Sequence, residues 1–139
     1  MAIDLKSLKP FAEAASADQL DLPGTWTNEL GSTMIIDEYS PTTGNFSGTY
    51  CSSVSTNGPA VTGVLSGTVS GSAIGFFVNW GSGSVTSWAG PILDAGNDNF
   101  VFYTLWHLAT TPTEQNPWWE TILAGADLFY KTSPARVNP

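Results

Sequence analysis

From Leu22 onward, apolar and polar side chains tend to alternate with a period of two. Along Asn99–Ala109 one face carries Phe100, Phe102, Thr104, Trp106 and Leu108, and the other carries Val101, Tyr103, Leu105 and His107. Along Ser84–Pro91 one face holds Ser84, Thr86, Trp88 and Gly90. This period marks a strand, because successive side chains leave opposite faces of a pleated ribbon. The pattern predicts eight strands: Gly24–Glu29, Thr33–Tyr39, Asn45–Cys51, Ala60–Val69, Ala73–Trp80, Ser84–Pro91, Asn99–Ala109 and Thr121–Thr132. Turn-forming runs punctuate them, such as Ser40-Pro41-Thr42-Thr43-Gly44, Ser70-Gly71-Ser72 and Gly81-Ser82-Gly83. These links suit antiparallel hairpins, and none holds the helical crossover that a parallel sheet needs. The fold class that follows is all-β, an eight-stranded antiparallel up-and-down barrel whose closure removes exposed edges.

The alternation carries a second message. Val101, Tyr103, Leu105 and His107 form a largely apolar second face, and Phe77 lies opposite Phe76, Val78 and Trp80. An isolated barrel should show water a polar exterior. Strands that are apolar on both sides imply that the exterior is itself covered, most simply by copies of the same chain.

Residues 2–20 differ in character, being Ala-rich and holding two of the four cations. A short helix around Phe11–Ala17 and a mobile arm both fit this segment, and a weakly ordered arm is the preferred reading. The expected organisation is an arm over 1–21, a barrel over 22–132 and a tail over 133–139.

Charge narrows the function. Twelve acidic and four basic side chains give a net charge of −8, so no basic stripe exists to displace phosphate counterions. Nucleic acid is thereby excluded as a partner. No apolar run reaches the roughly 20 residues that span a bilayer, so no membrane partner is expected. The N-terminus lacks the apolar stretch of a signal peptide, so either the protein is not exported or a leader has been removed. One cysteine, Cys51, cannot close an internal disulfide.

A search for catalytic groups finds little. His107 is the single histidine and points away from the face carrying Trp106, which favours a surface or interface position. No His/Cys/Asp cluster has metal-ligand spacing, and no helix follows the glycine-rich Gly81–Ser84 to bind phosphate. Neither an enzyme nor a cofactor is expected. A different set stands out: Asn28, Ser32, Tyr50, Ser52, Ser84, Thr86 and Asp127 interleave with Trp80, Trp88, Trp106 and Trp119. An eight-stranded barrel has room for filling side chains or for one small ligand. Either these groups satisfy one another in a core, or they face a ligand with an apolar body and a polar head.

Five segments settle the choice by resemblance. Gly24-Thr25-Trp26-Thr27-Asn28-Glu29-Leu30-Gly31-Ser32-Thr33 resembles the first-strand motif of the avidin/streptavidin family of biotin binders. Gly48-Thr49-Tyr50 with Ser52, and Ser84-Val85-Thr86-Ser87-Trp88-Ala89-Gly90, are similar to its third and sixth strands. Thr104–Leu108 and Trp119–Phe129 complete the series in order. The resemblance implies a non-catalytic biotin site in a barrel like that of streptavidin, a known ligand-holding example. Asn28, Ser32 and Tyr50 would donate to the ureido oxygen, while Asp127 and Ser52 would accept from the ureido N–H groups. Thr86 would meet the thioether sulfur. Trp80, Trp88 and Trp106 would wall the ring and chain, with Leu30, Val54 and Leu108 lining the remainder. Ser84 and Thr56 would hold the tail carboxylate, and Trp119 would come from a neighbouring subunit. The resemblance also implies a homo-oligomer, a tetramer in preference to a dimer, and a secreted or periplasmic setting. Competing readings are a like barrel for another heterocyclic or apolar ligand, and a structural adhesin or inhibitor.

Overall fold

The structure, a computed structural model, describes residues 9–10, 20–53, 61–96 and 99–134. Each of the eight predicted strands forms. After a two-residue strand β1 (Lys9–Pro10) come β2 (Gly24–Asn28), β3 (Thr33–Tyr39), β4 (Asn45–Ser52) and β5 (Val61–Ser70). They continue as β6 (Ala73–Asn79), β7 (Ser84–Asp94), β8 (Phe100–Thr110) and β9 (Ile122–Pro134). Each strand from β2 to β9 pairs antiparallel with the next, and β9 pairs back onto β2. That last ladder closes the sheet, so the all-β up-and-down barrel is the observed architecture. A 3-10 turn, Trp118–Glu120, precedes β9.

Alternation sorts most side chains as anticipated, although Val101, read on the outward face of β8, is buried. In β6, Ile74, Phe76 and Val78 are buried while Phe77 is exposed, and in β8, Phe102 and Thr104 are buried between exposed Tyr103 and Leu105. The interior is aromatic. Trp26 stacks on Phe102 with ring centroids 4.2 Å apart, and its indole Nε1 donates to the Leu22 carbonyl at 2.8 Å. Phe76 stacks on Trp88 at 5.0 Å, and Phe129 meets both rings edge-on. Outside the barrel, Val64 is 68% exposed and Leu105 59% exposed in the single chain. Such a dry exterior is the reverse of what a solitary barrel displays.

Most strand ends fall within one residue of the sequence reading; two strands run further, and part of the expected arm joins the fold. β7 continues past Pro91 to Asp94, because a proline deletes only one ladder bond; pairing with β8 lapses at Gly90 and Pro91 and resumes in the same register at Ile92. β9 runs to Pro134, pairing Ser133 and Pro134 with Thr25 and Gly24, two positions into the expected tail. Within the expected arm, Leu20 is buried in the core, and Lys9–Pro10 pairs with Leu93 and Asp94 of β7. The helix considered for Phe11–Ala17 lies outside the described residues.

Gly48 shows how tightly the wall is drawn. A Cβ placed there would overlap the carbonyl oxygen of Ile35 on β3, where the β3–β4 register shifts between Ile36 and Glu38. Relief requires moving backbone, not a flexible side chain. Gly48→Ala is therefore expected to lower stability by about 1–3 kcal/mol, the usual cost of overpacking. Thermal unfolding followed by circular dichroism measures it, and an unchanged Tm would contradict this account of the wall.

Candidate functional site

The antiparallel order brings one end of every barrel strand to a common mouth. Asn28 closes β2, Tyr50 and Ser52 close β4, Trp80 follows β6, Ser84 and Thr86 open β7, and Trp106 and Leu108 lie near the end of β8. Asp127 reaches the same interior from β9, opposite Thr104.

The β2–β3 turn pre-sets the first donor. Backbone bonds from Asn28 N–H to the Ser32 carbonyl and from Gly31 N–H to the Asn28 carbonyl, both 3.0 Å, fold residues 28–32 tightly. Gly31 sits at φ +87°, a conformation that disfavours any side chain. The buried Asn28 then accepts at Oδ1 from the Leu30 and Ser32 amides, both at 3.0 Å. With its oxygen occupied, Asn28 can only present Nδ2 inward, and Nδ2 donates to the Tyr50 hydroxyl at 3.3 Å. The buried Ser32 hydroxyl accepts from the Ser53 amide at 3.1 Å and also bonds toward the Tyr50 phenol. Burial, then the nearby Asp127 charge, push the Tyr50 pKa well above its ordinary value, so the phenol remains a neutral donor.

Asp127 is the counterpart. It is 5% exposed, and its Oδ2 accepts from the Trp88 indole at 2.9 Å. Thr104 donates to its backbone carbonyl at 3.0 Å, which fixes the strand beneath it. Its Oδ1 is buried with no hydrogen-bond partner among the described residues. Burial, chiefly, raises the Asp127 pKa, with Glu29 adding to the rise and the Trp88 indole and Asn28 amide opposing it. Three polar donors thus converge beside one under-satisfied acceptor. That is the complement of a neutral carbonyl flanked by N–H.

Aromatic rings surround this cluster. Tyr50 stacks on Trp88 with centroids 4.8 Å apart, and Trp80 stands edge-on to Tyr50 at 5.9 Å. The Trp80 indole donates to the buried Thr86 hydroxyl at 2.9 Å. Trp106, half-buried, packs on the core opposite Gly125, where any Cβ would strike its ring. Ser52, Ser84 and Leu108 are half-buried along the same mouth. Leu30 is 59% exposed on the turn, so it does not wall the interior of the single chain. Val54 and Thr56 lie outside the described residues. Trp119 stands exposed on the 3-10 turn, edge-on to Trp118 at 5.6 Å.

Three contributors carry no role in the sequence reading: Thr104, Ser53 and Glu29. Alternation already puts Thr104 on the inner face of β8, which was its available signal. Ser53 and Glu29 act through bonds across the fold, to Leu30 and Leu128, which spacing does not reveal. A concavity of about 430 Å³ on the β5–β6–β7 wall includes Trp88 and Phe76 but none of the polar cluster. Among the described residues no group of His, Cys, Asp or Glu side chains could hold a metal.

The avidin family model matches residues 16–132. The chain belongs to the avidin family. It is similar to avidin of Gallus gallus, 32% identical over 133 residues covering 90% of this chain and 87% of that protein. Among solved structures it resembles xenavidin, with a TM-score of 0.70 at 32% identity over 81% of this chain and 98% of that one. A rhizavidin–biotin complex gives a TM-score of 0.67 at 30% identity, covering 84% and 97%. As a member of the avidin family the chain is a binding protein, without catalysis and without a cofactor.

The avidin-family mouth carries a stability cost that can be measured. An acid whose pKa is raised by folding is destabilising once ionised, so stability is lost as pH rises through the raised value. Asp127→Asn removes that charge while keeping an oxygen for the Trp88 indole. The ligand-free variant is expected to melt about 3–5 °C higher at neutral pH, the size of 1 kcal/mol in a domain of this length. Scanning calorimetry reads the shift, and a lower Tm would mean that the ionised carboxylate is not a burden.

Proposed function

We propose that the chain is a high-affinity, non-catalytic binder of biotin, with the ureido head at the polar cluster and the ring and chain between indoles. The observation that carries this reading is the buried, unpartnered Oδ1 of Asp127 beside the converging Asn28, Ser32 and Tyr50. A buried acceptor left unmatched costs about 1–3 kcal/mol, and a ligand N–H recovers it. Asn28, Ser32 and Tyr50 donate to the ureido oxygen, and drawing negative charge onto that oxygen strengthens the N–H groups facing Asp127 and Ser52. The Thr86 oxygen accepts a hydrogen bond from the Trp80 indole N–H, which leaves its own hydroxyl hydrogen to point at the thioether sulfur. Trp80, Trp88 and Trp106 wall the bicycle and valeryl chain, Leu108 lines the remainder, and Ser84 takes the carboxylate. The similarity to rhizavidin, solved with biotin, supports this choice of ligand.

Titration with biotin is expected to change tryptophan emission with one equivalent per chain and to raise Tm steeply, since only the folded state binds. Asn28→Ala and Asp127→Ala should each weaken binding by at least about 2 kcal/mol, roughly thirtyfold in Kd. Silence toward excess biotin would favour another heterocyclic ligand. Parental affinity in both variants would remove the roles assigned to Asn28 and Asp127.

The apolar exterior supports a homo-oligomer, a tetramer in preference to a dimer. In it the exposed Val64, Leu105 and Leu123 pack against neighbouring copies, and the exposed Trp119 enters a neighbour's mouth. The same reading fits a secreted or periplasmic protein that sequesters the vitamin. Light scattering should give a mass above that of a dimer, and Leu105→Asp should reduce it; a monomeric parent chain would overturn the assembly.

A further inference from the structure

The β3–β4 ladder ends where the mouth begins. Its last pair on that side is Thr33 with Cys51, and one pair further would set Ser32 against Ser52. From there side chains continue what the backbone leaves off. Ser53, the residue after β4, donates its amide to Ser32 Oγ at 3.1 Å and its hydroxyl to the Leu30 carbonyl at 2.9 Å. A Cβ on Gly31 would meet Ser53 Oγ at 3.6 Å, so the hydroxyl lies across the top of the β2–β3 turn. One exposed serine thus holds that turn at two points, on either side of Gly31.

The hydrogens at this contact have set directions. A hydroxyl has one hydrogen to give and two lone pairs with which to receive. The Ser53 hydrogen goes to the Leu30 carbonyl, so in the 3.4 Å contact between the two serine oxygens Ser53 can only accept. Ser32 in turn receives the Ser53 amide. What Ser32 has left to offer is its own hydrogen, which faces the Tyr50 phenol or the long contact to Ser53. On the Ser53 side, a ligand oxygen competes with nothing stronger than that long contact.

We propose that Ser53 is a positioning residue for ligand capture: its hydroxyl, anchored on the Leu30 carbonyl, aims its own amide at Ser32 and so keeps the Ser32 hydroxyl a donor toward the mouth. The inference rests on the proposed role of Ser32 as donor to a ureido oxygen. Ser53 acts through Ser32 and needs no contact with the ligand. Without the anchor the amide loses its side-chain support, and the Ser32 oxygen is free to turn and receive. A hydroxyl turned that way presents lone pairs to a carbonyl oxygen and repels it.

Amide exchange reads the tether without any ligand. In the ligand-free protein, exchange at residue 53, taken relative to the intrinsic rate of each sequence, should quicken about fivefold in Ser53→Ala. It should return to the parental rate in Ser53→Thr, which keeps the hydroxyl. Biotin dissociation should quicken about fivefold in Ser53→Ala, the worth of one ordinary hydrogen bond, and recover in Ser53→Thr. In a Ser32→Ala background, Ser53→Ala should change dissociation by less than about twofold, because the residue it acts through is gone. A merely structural tie would keep its full effect in either background. Unmoved amide exchange in Ser53→Ala, or an undiminished effect in the Ser32→Ala background, overturns the proposal. The expected exchange pattern in a protein that ignores biotin upholds the tether and overturns the ligand reading instead.

Discussion

A carboxylate buried with half of its hydrogen-bonding capacity unmet sets the terms for the whole mouth of this barrel. An ion out of water is costly unless its partners are fixed in advance. Asp127 is held from both sides: the Trp88 indole takes one oxygen, and Thr104 anchors the backbone beneath. Neither bond reaches the second oxygen. The fold tolerates that deficit because its closed ladders and stacked rings leave the chain little freedom to relax. Such rigidity serves a binding protein, since donors already in place cost no ordering when a ligand arrives.

The donor side illustrates the same economy. Asn28 could not act as a fixed N–H donor if its amide were free to flip. Two backbone amides of the β2–β3 turn occupy its oxygen, and that turn closes through Gly31 at positive φ. Tyr50 is similarly restricted, since burial keeps its phenol protonated and its stack on Trp88 fixes the ring. The polarity of the cup is thus decided by local backbone geometry and by desolvation, not by the residue list alone.

How much of this was readable beforehand depends on which physics each residue obeys. Period-two alternation placed Thr86, Trp88 and Phe102 inside and Phe77, Leu105 and His107 outside, because strand facing is a local property. It could not say that Asn28, Tyr50 and Asp127, from β2, β4 and β9, share one spot; that rested on resemblance, since convergence is set by closure. Leu30 shows the limit of carrying a role over: in the single chain it sits exposed on the turn surface. The continuation of β7 beyond Pro91 was missed because a missing N–H weakens a ladder without ending it. Leu20 and Glu29 were passed over because their partners lie far along the chain, a core for one and the Leu128 amide for the other.

The two dry faces of the wall are not independent. In β8, Trp106 faces the mouth while Leu105 and His107, its immediate neighbours, face outward. A strand has no thickness in which to separate these roles, so whatever covers Leu105 also restrains the backbone that aims Trp106. Gly125 on β9 sharpens the point, because it gives Trp106 its space while Ala124 and Ala126 on either side turn outward opposite His107 and Leu105. Assembly in the avidin family therefore bears on a binding site through shared strands as well as through any residue contributed across the interface. A barrel that left its outer face wet would have to stiffen its mouth by other means; Val64, Leu105 and Leu123 are the exposed apolar residues on which the proposed assembly would act.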